Sequence, residues 1–164
     1  MKRIIIHWTA GTYYPTGYEK EHYHFLVDKD GNIHNGKFKP EDNEICKINK
    51  YAAHTGGGNT GSIGVALCAM AGFKSKTCVG SYPIEKKQFE SCMCFCAELA
   101  KKYKINITPQ TLMTHYEFGL KNPKTSSAGK IDITYLPPYP WVEKNEVGSF
   151  IRSKVKWYLQ RSEK

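Results

Sequence analysis

The chain has no apolar run of membrane-crossing length, and Met-Lys-Arg followed by Ile4-Ile5-Ile6 falls far short of the apolar core of a secretory signal. This argues against a helical membrane protein and predicts soluble, cytoplasmic synthesis without a signal peptide. Acidic residues are also scarce. Fifteen Asp and Glu stand against 24 Lys and Arg, giving a formal net charge of +9. Such a surface attracts a polyanion, whether nucleic acid, an anionic membrane or the acidic bacterial wall. The cysteines lack zinc-finger spacing: Cys92, Cys94 and Cys96 alternate within one helical pattern, where neighbouring thiols cannot all pair. They read as reduced, mostly buried small hydrophobes. Gly56-Gly57-Gly58 has neither a P-loop lysine nor a following helix start, which excludes a phosphate-binding loop, and no His-Glu-x-x-His motif is present.

A length of 164 residues with 40% hydrophobic and 13% aromatic content suits one compact domain with a real core. Residues 3–8 are β-branched without alternating polar residues, the pattern of a central strand buried on both faces, and His7 lies near its end. Taken alone, His7 reads as a core histidine at a strand terminus. Residues 11–17 read as a loop. Residues 23–27, the turn Asp28-Lys29-Asp30-Gly31 and residues 32–35 predict a β-hairpin. Alternation sets Tyr23, Phe25 and Val27 on one face and His24 and Leu26 on the other; His22, His24 and His34 read as polar or strand-packing residues. Residues 37–50 read as a surface connection or broken short helix, and residues 62–70 as a second interior strand.

Phe89, Cys92, Met93, Cys96, Leu99, Ala100 and Tyr103 recur at helical spacing within residues 84–103, predicting an amphipathic helix with no chemistry of its own. Residues 111–114 read as a short strand delivering His115. Tyr116 and Glu117 follow, then a polar loop to Gly129. Leu136-Pro137-Pro138-Tyr139-Pro140-Trp141 reads as an extended strap. Residues 147–161 predict a basic amphipathic helix that either docks on its own domain or touches anionic membrane.

Five blocks in order carry a resemblance: Ile4-Ile5-Ile6-His7-Trp8-Thr9-Ala10; Tyr23-His24-Phe25-Leu26-Val27-Asp28 with Asp30-Gly31; Ala53-His54; Asn59-x-x-Ser62-Ile63-Gly64-Val65; and Thr114-His115 with Gly129-Lys130-Ile131-Asp132. From about residue 3 to about residue 140 the chain resembles the zinc-dependent N-acetylmuramoyl-L-alanine amidases, which include phage lysozymes of the amidase type and the peptidoglycan recognition proteins. The resemblance implies a single α/β domain over residues 1–164, with a central mixed β-sheet flanked by helices and a zinc site at one edge of a groove. It implies Zn2+ held by His7, His115 and Asp132, which leaves a fourth position for a water whose pKa zinc lowers to about 7. Lys130 would stabilise the oxyanion, and Tyr23 would orient the water or relay its proton. His54 would lie near the substrate or just behind the metal's ligands, and Asn59, Trp8 and Thr9 would border the substrate, with Asn59 holding its loop.

The chain departs from the family at three points. The interval before Tyr23-His24-Phe25 is short for the usual helix. Ala66 stands where some relatives carry a glutamate base, which assigns that role to Tyr23. Ile133-Thr134 replaces a common Pro-Gly after Asp132, so Glu117 is the substitute ligand to test. The implied function is hydrolysis of the bond between N-acetylmuramic acid and L-alanine by a monomeric phage or prophage endolysin acting on bacterial peptidoglycan after release through the membrane. No nucleic-acid partner is expected. The alternatives are cytoplasmic recycling of muropeptides, a non-catalytic peptidoglycan-binding module, and a regulatory protein-binding role.

Overall fold

The structure is a computed structural model and describes residues 1–162. Among these residues five strands form one sheet: β1 (Arg3–Trp8), β2 (Phe25–Val27), β3 (Ile33–Asn35), β4 (Ser62–Leu67) and β5 (Leu112–Thr114), in the order β3-β2-β4-β1-β5. β2, β4, β1 and β5 run parallel, and β3 closes one edge antiparallel to β2. The sheet is therefore mixed, as expected. Its central strands β1 and β4 have almost no polar alternation because both of their faces are covered.

Two helices shield one face. α2 (Lys86–Lys102) buries Phe89, Cys92, Met93, Cys96, Leu99 and Ala100, the stripe read from the sequence, and α4 (Val147–Ser162) docks beside it through Ile151 and Val155. Buried Gln88 locks α2 to the sheet by donating to the carbonyls of Val27 and Cys68 at 3.0 and 2.9 Å. The six cysteines are free. No helix among the described residues is long and apolar enough to cross a membrane.

Two short helices depart from the reading above. α1 (Gly17–His22) is one of few turns, started by a capping box in which Thr16 and Glu19 satisfy each other's backbone N–H groups. Tyr23 caps its end and precedes β2. Strand alternation therefore does not govern Tyr23, whose ring turns toward His7. α3 (His115–Lys121) occupies sequence read as the start of a polar loop; Thr114 and Glu117 form its capping box. β4 ends at Leu67, short of the expected Met70, which takes a positive φ of 75°.

Candidate metal centre

The strand topology gathers the site at the carboxyl ends of the parallel strands, where open α/β sheets hold ligands. His7 is next to last in β1, and His115 is the first residue of α3, directly beyond β5. β1 and β5 are hydrogen-bonded neighbours, so these imidazoles meet with ring centroids 4.7 Å apart despite their separation in sequence. Asp132 is positioned by its own carbonyl, which accepts from the Tyr116 N–H at 2.9 Å. Its Oδ2 lies 2.9 Å from His7 Nδ1 and 3.2 Å from His115 Nδ1. One ligand atom from each of the three residues falls within 4.8 Å of the others.

The partners of each ring decide what these nitrogens carry. His54 Nε2 lies 3.3 Å from the Ser62 carbonyl oxygen, which only accepts, so this nitrogen bears the proton. Burial, reinforced by neighbouring His7 and His24, holds the His54 pKa well below its ordinary value and the ring neutral. His54 Nδ1 is therefore an acceptor, taking the Thr55 hydroxyl at 2.7 Å and His7 Nε2 at 3.1 Å. It follows that His7 is protonated at Nε2, which leaves Nδ1 as the nitrogen that faces Asp132.

At first sight the charges in the centre conflict. Burial, with a smaller contribution from the charge of Lys130, lowers the His7 pKa against the pull of Asp132, whereas Asp132 is itself held ionised by its histidine partners. Burial opposes the Asp132 carboxylate, but His115 and His7 outweigh it and bring its pKa below the usual carboxylate range. Each imidazole Nδ1 lies within hydrogen-bond reach of this ionised oxygen. Two nitrogens and a carboxylate oxygen gathered this closely are a donor set that fits a divalent cation.

Around the centre runs a groove of about 590 Å³. Tyr23, Lys130, Trp8, Thr9 and His54 line it together with His115 and Asp132, while His7 is buried behind them. The Tyr23 ring stands 5.1 Å from that of His7; burial first, then the Asp132 charge, raise its pKa and keep the phenol protonated. Trp8 is almost wholly buried and packs on Phe73, and the Thr9 hydroxyl accepts from the Gly11 and Ala69 N–H groups. These two therefore shape the groove wall more than they offer free polar contacts. Asn59 does not line the groove. Its Oδ1 accepts from the His54 and Thr55 N–H groups at 3.0 and 2.8 Å and holds the loop of residues 53–59 from behind.

Glu117, considered as a substitute ligand, is engaged elsewhere. Its carboxylate meets the Arg152 guanidinium through two contacts of 3.0 and 3.1 Å and caps α3 through Thr114 N–H. Gly148 lets α4 come this close, because a Cβ there would strike that carboxylate. Sequence reasoning missed three supporting residues. Asn43 accepts from His24 Nε2 and pairs with the Ala52 backbone, Thr55 contacts both His7 and His54, and Ser127 contacts His115. Only the Thr-x-x-Glu pattern at residues 114–117 carried a local signal, and it marked the helix on which His115 stands.

Comparison with known proteins bears on the fold and the family. A family model described as N-acetylmuramoyl-L-alanine amidase matches residues 1–130, ending two residues short of Asp132. The fold resembles that of the N-acetylmuramyl-L-alanine amidase AmiD from E. coli, solved with anhydro-N-acetylmuramic acid-L-Ala-D-gamma-Glu-L-Lys: 18% identity, 94% of this chain, 57% of that chain and a TM-score of 0.57. This chain thus spans little more than half of AmiD's length. An E90A mutant of PlyL matches at 22% identity over 94% of this chain and 84% of that one, with a TM-score of 0.55. No curated protein sequence matches significantly.

Proposed function

Because this chain belongs to the N-acetylmuramoyl-L-alanine amidase family, we propose that it hydrolyses peptidoglycan at the amide joining N-acetylmuramic acid to L-alanine, with Zn2+ held by His7, His115 and Asp132. The observation that carries this reading is the convergence of two imidazole nitrogens on one ionised carboxylate oxygen beside a groove that His115 and Asp132 line. Zinc bound there would polarise the scissile carbonyl and lower the pKa of a coordinated water to about 7.

The chain's own groups supply the rest. Lys130 lies on the groove wall, where its ammonium would face the negative charge that develops on the carbonyl oxygen. Tyr23, kept protonated, would donate a hydrogen bond to the attacking water and, in a relay, give its own proton to the leaving amine as it takes up the water's. β4 offers no carboxylate: Ala66, paired in register with His7, has only a methyl group to present. The net charge of +9 suits an acidic wall, which supports an endolysin role. A second reading is recycling of soluble muropeptides, favoured by the anhydro-muropeptide in the AmiD complex.

The test combines zinc analysis of the purified protein with assays on intact sacculi and on soluble anhydro-muropeptide. About one zinc per chain and new N-terminal alanine from sacculi are expected. Release from the soluble substrate alone would replace the endolysin reading with recycling. Wall binding with neither zinc nor new alanine would leave a binding module and defeat the amidase assignment.

A further inference from the structure

We propose that Ser127 is a positioning residue that sets which nitrogen His115 offers to the metal; this rests on the zinc reading above. Ser127 is fully buried, whereas none of its neighbours from residue 121 to residue 131 is. Its place is sterically defined, since a Cβ at Gly119 of α3 would strike the Ser127 carbonyl. A single buried hydroxyl in a solvent-facing loop calls for a use.

Its two partners define that use. Ser127 Oγ lies 2.7 Å from the Gly56 carbonyl oxygen and 2.9 Å from His115 Nε2. The Gly56 oxygen has no proton to give, so the one proton of the hydroxyl goes there. What Ser127 turns toward His115 is then a lone pair, and His115 Nε2 must donate to it. With Nε2 committed to Ser127, the nitrogen left to offer a cation is Nδ1, which faces Asp132 Oδ2 at 3.2 Å.

His115 is thus set by the same logic as His7, through a different relay that ends on the same loop. His7 is oriented through His54 and Thr55, and His115 through Ser127 and the Gly56 carbonyl. The loop of residues 53–59 thus commits Nε2 of both rings and leaves Nδ1 of each turned toward Asp132. Partners of metal-ligating histidines commonly contribute about 10–100-fold in metal affinity.

The experiment uses the full chain, wild type beside Ser127→Ala and Ser127→Thr. In the zinc-free protein, 15N NMR of the imidazoles reads the tautomer; chelator competition then reads zinc affinity. The wild type is expected to show His115 protonated at Nε2. Ser127→Ala should show mixed tautomers and bind zinc about 10–100-fold more weakly, and Ser127→Thr, which keeps the hydroxyl, should restore both. A wild-type His115 with no proton at Nε2 overturns the proposal, as does a Ser127→Ala protein with unchanged tautomer and affinity. Failure of Ser127→Ala to fold leaves the wild-type spectrum to decide. Failure of the wild type to bind zinc would remove the amidase reading, while the zinc-free spectra would still judge Ser127.

Discussion

Ile4, Ile6 and Trp8 of β1 enter the large apolar cluster beneath α2 and α4, while Ile5 and His7, alternating with them, face the opposite side of the sheet. On the first side the neighbours are Phe89, Met93, Leu112 and other side chains that need only be covered. On the second side His7, His24, His54, His115 and Asp132 are all buried, and every one has named hydrogen-bond partners. Among the described residues, no buried side-chain nitrogen or oxygen lacks a partner. The contrast shows how one short strand divides its labour by parity. One face gains stability from area removed from water, about 1.5–3 kcal/mol for each large side chain. The other holds polar groups whose orientation matters more than their net contribution to stability.

If the faces are separable, damage to one should leave the other's property intact. The largest effect is expected from Phe89→Ala, which opens a cavity under α2 and should cost about 3–5 kcal/mol of stability. Thermal denaturation would register this, while zinc affinity at low temperature stays at the wild-type value; a matching loss of affinity would mean the faces are coupled. Next is Lys130→Ala, expected to lower amide hydrolysis about a hundredfold to a thousandfold with little change in melting temperature. Wild-type turnover would remove Lys130 from the reaction.

The smallest effect is a pH dependence confined to the polar face. Burial pushes the His24 pKa down to about 4, so the unfolded chain takes up this proton first on acidification. Its contribution to stability is present above about pH 6.5 and is lost between there and about pH 4, on the order of 3 kcal/mol in total. Buried His54 acts in the same direction. Denaturant unfolding of the zinc-free protein across this window should show falling stability, and His24→Gln should flatten the slope in part. An unchanged slope would mean that His24 is already protonated in the folded protein.

The legible parts of the molecule were those written in local pattern. β1 announced itself by an unbroken β-branched run, the hairpin by Asp30-Gly31, and α2 by a stripe repeated over about four turns. α3 escaped because seven residues give too few repeats, and one of them is Gly119. Tyr23 was set on the wrong face because a helix cap, not a strand, controls its direction. The ligand residues came from resemblance across five blocks, since no short spacing encodes groups brought together by parallel pairing of β1 and β5. The hydrogen-bond relays were less accessible still. Ser127 meets a carbonyl 71 positions away, and His7 meets a ring 47 positions away. Contacts of that range leave no period in the sequence.

The ion pair between Arg152 and Glu117 has a consequence for the C-terminal helix. Arg152 also donates to the Leu112 carbonyl at 3.0 Å, so this one guanidinium clasps both the strand that leads into His115 and the helix that His115 begins. Peeling α4 away to lie on a lipid surface would open that clasp and slacken the scaffold beneath a ligand. An anchor that detaches would therefore act as a brake on catalysis, and productive attachment to any surface must leave the inner side of α4 seated.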